Sequence, residues 1–348
     1  MIRPMPAVKP LEVWTLSVPL PKLSAELAAR AEAAGFDGIA FTDSQNLTGD
    51  PFVGLALAAT ATTRIGLATG VTNPVTRHPA ATASAIATVH ALSGGRAVLG
   101  IGRGDSALFQ IGLEPAPLDV FASFLARLAT YLRGGSVELE GFASRLRWLD
   151  ALKLPPVPVD VAATGPRVIE LSARIADRIT FAVGASPERI QWGIAKARAA
   201  RAAAGLDPDA LAFGAYVNVA PHPDVSVARE LVRGGVGTFA HFSGMAGSSA
   251  DGVAAADRAV FTGIHARYER EAHTLGRARH AKALEPAFLD RFAVVGPPKD
   301  CVARLRELVD AGARKLIVTG ASFDADRDEG LRSRTLFEQE VLPALRRH

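Results

Sequence analysis

Cysteine is almost absent: Cys301 is the only one in 348 residues. An intrachain disulfide framework, a multi-cysteine metal site and an iron–sulfur cluster are thereby excluded, and the reducing cytosol is the expected compartment. Also missing is any apolar run near the roughly 18 residues that a membrane span needs. Residues 1–10 carry Arg3 and Lys9 but no hydrophobic signal core, so they read as an N-terminal extension of an unexported protein. Charge does not gather by sign. Lys and Arg number 39 against 35 Asp and Glu, a net +4, spread without basic blocks, which argues against a nucleic-acid partner. The histidines (78, 90, 222, 241, 265, 273, 280 and 348) form no i, i+4 pair and no HExxH, and no metal is expected. No Ser–His–Asp arrangement can be proposed from spacing. The run Gly100-x-Gly102-x-Gly104 is not GxGxxG and opens onto Asp105 rather than onto a helix, which removes the dinucleotide fingerprint.

What the chain does have is a repeating strand–helix period. LEVWTLSV at 11–18 is short, apolar and β-branched; Ser24 then stands as N-cap before an Ala/Leu-rich helix over 25–34 that stops at Gly35. The unit recurs as strand 37–42 with helix 51–60, strand 64–71 with helix 79–92, and strand 96–102 with helix 117–133. The segment 134–156 breaks the rhythm with two short apolar runs around Gly141, the pattern of an inserted hairpin. Strand 157–163 with helix 166–176, 178–183 with 187–204, and 212–219 with 224–233 follow. A second insertion, 234–288, precedes FAVVG at 292–296, helix 298–311 and strand 314–319. Eight core strands alternating with helices predict one closed (β/α)8 barrel with insertions after strands 4 and 7, and a doubly wound open sheet is the alternative.

In such a barrel the chemistry lies at the carboxyl ends of the strands. Those positions hold Ser17, Asp43-Ser44, Gly70-Val71-Thr72-Asn73, Gly102-Arg103-Gly104-Asp105, Thr164-Gly165-Pro166 and Gly184. Each has two readings. The glycines either turn the chain tightly or let backbone amides approach a flat or anionic ligand. Asp105 is a helix N-cap or a site carboxylate, Asp43 a strand-end anchor or a site carboxylate, and Arg103 a salt-bridge partner of either aspartate or an anion holder. Trp14 and Trp148 fill the core or line the pocket.

The stretch ATGVTNPVTRHPAATASAIATVHALSGGRAVLGIGRGDSAL, 68–108, resembles the third and fourth βα units of the luciferase-like monooxygenase superfamily. Within it, the resemblance is to the branch typified by methylenetetrahydromethanopterin reductase, which uses the deazaflavin coenzyme F420. FAVVGPPKDCVARLRELVDAGARKLIV at 292–318 is similar to the family's closing βα unit. The resemblance implies a barrel, commonly homodimeric, with the cofactor at the strand carboxyl ends. It implies a cis non-prolyl peptide at Gly70-Val71 behind the ring, Thr72 and Asn73 near the ring's polar edge, and phosphate contacts at Thr164-Gly165-Pro166 and Gly184. From their strand-end positions, Gly102, Arg103, Gly104 and Asp43 are further expected cofactor contacts.

Two departures stand out. Many deazaflavin relatives have Asp-His after the second strand where this chain has Asp43-Ser44, so an imidazole is missing there. Asp105 matches a position that is a glutamate in some relatives. The expected activity is hydride transfer between the deazaflavin and a small organic substrate, such as a methylene-tetrahydropterin, with Asp105 managing a proton, joined by Ser44 or Asp43. The alternatives are an FMN-dependent monooxygenase that uses oxygen with a partner reductase, and a barrel that binds a cofactor without catalysis. The insertion 234–288, with Phe239, His241, Phe242, Met245, His265 and Tyr268, reads as a packed helical excursion or as a substrate lid.

Overall fold

The computed structural model describes residues 10–244 and 253–347; the extension before Pro10 and Met245 of the insertion lie outside them. From the amino end run β1 (Glu12–Ser17), α1 (Ser24–Ala34), β2 (Gly38–Phe41), α2 (Pro51–Ala61), β3 (Gly66–Thr69), α3 (Pro79–Leu92) and β4 (Ala97–Ile101). Next come α4 (Ser106–Phe109), α5 (Leu118–Leu132), the hairpin β5 (Val137–Leu139) and β6 (Phe142–Ser144), β7 (Val159–Ala163) and α6 (Pro166–Ser172). Then follow β8 (Arg178–Phe181), α7 (Pro187–Ala203), β9 (Ala212–Pro221), α8 (Val225–Gly244), α9 (Ala255–Arg267), α10 (Arg279–Lys282) and α11 (Pro286–Phe292). The chain ends with β10 (Val294–Gly296), α12 (Pro298–Asp310), β11 (Lys315–Thr319), α13 (Arg327–Leu336) and α14 (Leu342–Leu345).

Strands β1, β2, β3, β4, β7, β8, β9 and β11 pair in that order, all parallel, and β11 returns to β1. The sheet closes on itself as a (β/α)8 barrel, and the open doubly wound alternative is wrong. FAVVG contributes only β10, which sits outside the ring against the far end of β9. Among the described residues no helix is long and apolar enough to cross a membrane.

Local chemistry explains most element ends. Asp50 accepts from the Phe52 and Val53 amides ahead of Pro51, and Ser186 accepts from the Arg189 amide ahead of Pro187. Gly35 closes α1 at φ 93°. Ser24 does not cap α1 as expected: it is the first helical residue, and its hydroxyl donates to the Leu20 carbonyl and accepts the Leu20 amide, closing the turn before the helix. The hairpin around Gly141 is present, with Glu140 and Gly141 both at positive φ between the paired Leu139 and Phe142. Trp148 is exposed beyond it.

Trp14 fills the barrel's interior. A Cβ on Gly38 would lie 2.0 Å from its ring, and one on Gly66 2.6 Å, so two successive strands give up side chains to make room. Lys315 Nζ sits 3.7 Å above that ring and 3.0 Å from Asp160 Oδ2, and Thr180 donates to the other Asp160 oxygen at 2.6 Å. Burial pushes the Asp160 carboxyl up, but the Lys315 and Arg178 charges and these hydrogen bonds hold it below the usual range. This packed, paired floor leaves the carboxyl ends of the strands as the open end of the barrel.

Candidate active site

A cavity of about 1460 Å³ opens at that end. Beyond Thr69 the chain leaves β3 through Gly70-Val71, whose peptide bond is cis, and rejoins β4 where the Thr72 amide donates to the Gly100 carbonyl and Thr72 accepts from the Gly102 amide. The bulge puts Val71 into the cavity beside Gly70, Ala162 and Ala182. At Gly70 a Cβ would lie 2.6 Å from Leu16 Cδ1 and 2.9 Å from Ala40 Cβ. Any larger residue would thus push the bulge off the strands beneath it.

Asp43, Ser44, Gly70, Val71, Asn73, Gly102, Arg103, Gly104, Asp105, Thr164 and Gly165 all line the cavity, while Thr72, Pro166 and Gly184 do not. Thr72 turns inward instead: fully buried, it donates to Asp43 Oδ2 at 2.6 Å. Pro166 is the first residue of α6. Gly184 has φ 75°, and a Cβ there would meet the Phe292 ring at 2.6 Å; it is glycine for the approach of α11, and its neighbour Ala185 donates to the Phe292 carbonyl.

Asp43 is engaged at both oxygens, receiving Gln45 Nε2 at 2.5 Å on one and Thr72 together with Arg77 at 2.7 Å on the other. Burial nonetheless pushes its carboxyl above the ordinary range, against the pull of Thr72 and Arg77. Asn73 Oδ1 accepts the amides of Val75 and Thr76, whereas its Nδ2 is buried without a partner among the described residues. Such a donor is costly to leave unmet.

Asp105 stands at the N-cap of α4 but makes no side-chain cap, so its carboxylate is left to the cavity. Arg103 has no carboxylate within salt-bridge distance among the described residues. Its Nε donates to the Ala116 carbonyl at 2.7 Å, and burial followed by the nearby Arg167 charge pushes its guanidinium down. Arg167, from α6, also lines the cavity. Neither arginine forms a salt bridge among the described residues, an arrangement chemically suited to an anion.

The roof comes from the insertion. Helix α8 runs without a break for 20 residues, past the end expected at residue 233, and presents Thr238, Phe239 and Phe242 to the cavity, with His273 and Thr274 from the segment behind α9. Arg270 in the same segment lies 4.4 Å from the Phe109 ring, and the Arg270 carbonyl accepts from Gln110, tying the roof to the β4 side. The described part of the insertion is therefore packed helical structure that also lines the cavity. Sequence reasoning passed over Arg167 and His273; the only signal was the density of imidazoles in the insertion. Among the described residues no group of His, Cys, Asp and Glu is arranged to hold a metal. Cys301 is buried away from the site, its thiol pushed up to about 12 by burial and Asp300.

The family model described as luciferase-like monooxygenase matches residues 18–315. The chain is 30% identical over 312 residues to the 5,10-methylenetetrahydromethanopterin reductase of Methanolobus tindarius, covering 88% of this chain and 93% of the relative. To the F420-dependent glucose-6-phosphate dehydrogenase of Mycobacterium avium (strain 104) it is 29% identical over 346 residues, covering 94% and 95%. The solved coenzyme F420 dependent tetrahydromethanopterin reductase from Methanopyrus kandleri superposes with a TM-score of 0.74 at 24% identity, over 97% of this chain and 99% of that one; at that identity the likeness bears on the fold. Barrel, bulge and family match agree: the chain belongs to the luciferase-like monooxygenase family of oxidoreductases.

Proposed function

We propose that this chain is a coenzyme F420-dependent oxidoreductase that moves a hydride between carbon 5 of the deazaflavin and a small organic substrate in the roofed cavity. The observation that carries the reading is the cavity's division of labour. Val71, Ala162 and Ala182 offer an apolar bed for a flat ring, Asn73 an unmet donor beside it, and Arg103 with Arg167 a cationic end. Those features fit a tricyclic cofactor with an anionic tail. The F420-dependent name of a relative matched over 94% of this chain supports the same choice.

When bound, the deazaflavin supplies a two-electron hydride centre that reacts poorly with oxygen. The chain's own residues do the rest. Gly70-Val71 supports the ring from behind, and Thr164-Gly165 with Arg103 and Arg167 hold phosphate and other anionic groups. Asp43, fully hydrogen-bonded, keeps the bulge in place through Thr72 and leaves proton handling to Asp105, with the Ser44 hydroxyl also in the cavity lining. Phe239 and Phe242 keep water from the reacting carbons. A methylene-tetrahydropterin is one substrate of suitable chemistry, the kind named in the 30% identical reductase. A homodimer is the expected assembly, and a reductase that recharges the cofactor the expected partner.

The family's own description as a monooxygenase favours a second reading, in which FMN occupies the same bed and oxygen is consumed. Arg103→Gln tests the cationic end. Loss of a charge-assisted bond to an anionic tail weakens deazaflavin binding by about 10- to 100-fold; unchanged affinity would remove Arg103 from the cofactor site.

A further inference from the structure

The residue after Asp43 is a serine, so no imidazole enters the cavity from β2. Imidazoles arrive from the opposite side. His241 of α8 places its Nε2 3.4 Å from Asp105 Oδ2. His241 is 4% exposed, and its ring stacks on Tyr268 with centroids 3.8 Å apart and planes 11° from parallel. The Tyr268 hydroxyl lies 2.6 Å from His273 Nδ1 and 3.4 Å from Thr238 Oγ1. His265 stacks against His241 at 5.1 Å, and His280 lies 4.3 Å from Tyr268. Side chains from α8, α9, α10 and the segment between α9 and α10 thus gather around His241 and Tyr268, and His241 carries the cluster to the carboxylate at the end of β4.

The arrangement is unusual in what it leaves unmet. Asp105 Oδ2 is buried and makes no hydrogen bond, and His241 Nδ1 has no partner among the described residues, although the Asp105 side chain as a whole remains 21% exposed and lines the cavity. A buried carboxylate oxygen is costly unless a cation or a proton answers it. The surrounding imidazoles are poor candidates for that role. Burial pushes His273 down to about 4, and burial together with the His241 charge also lowers His265 and His280. Arg270 adds a further positive charge near His265, and Glu269 a negative one near His280. Among the described residues only His241 is within reach of the carboxylate.

We propose that His241 is a positioning residue that forms a carboxylate–imidazole dyad with Asp105, so that the proton accompanying hydride transfer is exchanged at Asp105 and replenished from His241. The dyad's role rests on the hydride-transfer reading, but the pairing is a property of the chain and is measured without cofactor. In the reduction direction, Asp105 gives a proton to the substrate atom that receives electron density as the hydride arrives, and His241 returns one to Asp105. In the oxidation direction both movements reverse. No additional reductant or oxidant is required beyond the deazaflavin.

The test is an NMR titration of the His241 ring nitrogens in the full-length, cofactor-free chain between about pH 5 and pH 8, in the wild type and in Asp105→Asn. His241 remains in place in both, so a failure of His241→Gln to fold does not matter. The dyad predicts that the titration midpoint of His241 falls by about 1 pH unit or more when the carboxylate is removed, and returns in Asp105→Glu. A merely packed histidine would titrate alike in all three chains, and that result would overturn the pairing. Deazaflavin binding is measured on the same samples. A moved midpoint in a chain that fails to bind deazaflavin would contradict the hydride-transfer reading and leave the pairing standing; an unmoved midpoint in a chain that binds it would do the reverse.

Discussion

Asp43 and Asp105 are both carboxylates at strand ends, and their hydrogen bonds give them different tasks. Asp43 is spent on Gln45, Thr72 and Arg77; Asp105 faces the cavity without a cap to make. Asp105→Asn is therefore expected to lower turnover by about 10²- to 10⁴-fold, the usual worth of general acid–base catalysis, and to flatten the pH profile. Asp43→Asn is expected to act on stability first, read by thermal unfolding. Sequence position offered the same two readings for each aspartate, because a cap, an anchor and a proton carrier look alike until partners are known. Arg103 was legible in a stronger sense: an arginine between two glycines at a strand end has no helix face to sit on, and it pairs with neither aspartate. Thr72 and Gly184 were not: both occupy the right stretch of chain, but the Thr72 hydroxyl is turned to Asp43 and the Phe292 ring packs against Gly184. Trp14 presented the opposite problem, as nothing local says that Gly38 and Gly66 stand bare for it. Gly38→Ala puts a methyl into that ring and is expected to cost about 1–3 kcal/mol in chemical denaturation.

At the scale of elements, the strand–helix alternation was readable because each unit carries its own start and stop, such as Asp50-Pro51 or Gly35. It failed where tertiary contact overrides propensity. Gly234-Gly235 looks like a helix end, yet α8 passes straight through it: a Cβ on Gly234 would lie 2.2 Å from the Thr274 carbonyl oxygen, and one on Gly235 2.4 Å from Asn218 Nδ2. These glycines let the roof helix touch the barrel and the segment carrying His273. Gly234→Ala is expected to destabilise the protein even though alanine gains about 1 kcal/mol in helix propensity. In Gly263→Ala on α9, where a Cβ meets nothing within 4 Å, the same change is expected to stabilise by about 0.4–1 kcal/mol. Equal effects in the two variants would contradict this packing account. Glu32 shows a second long-range tie without a local signature. Its carboxylate accepts the amides of Thr63, Arg64 and Ile65, joining α1 to the turn before β3. Burial pushes it up, but those bonds together hold it at about 2 against an ordinary 4.5. Because the folded value is depressed, its contribution is complete above pH 4.5 and is lost as pH falls toward 2. Glu32→Gln should lose about 1–2 kcal/mol at neutral pH and match the wild type progressively better through that acid window.

Across the whole molecule, the pairing of β8 with β9 and of β11 with β1 closes the barrel whose open end holds the cavity, and the insertion adds aromatic and imidazole side chains from far along the chain to its lining. The barrel was legible because its period repeats. The roof was legible only as one of two readings of the insertion, and the meeting of His241 with Asp105 not at all, because no period links them and only the folded chain brings them together. Ligand bound beneath this roof is expected to slow proteolysis within 253–288, and cleavage at an unchanged rate would count against a covering role. Leu47, Val53 and Leu57 are 52%, 59% and 38% exposed on one side of the barrel. If the homodimer forms there, Val53→Asp shifts sedimentation toward the monomer. The central claim concerns the cofactor, and the most direct measurement is a fluorescence titration of the purified chain with coenzyme F420 and, separately, with FMN. Tight binding of the deazaflavin with weak or no binding of FMN is the predicted result. A clear preference for FMN would contradict the account and move the chain to the oxygen-using side of its family.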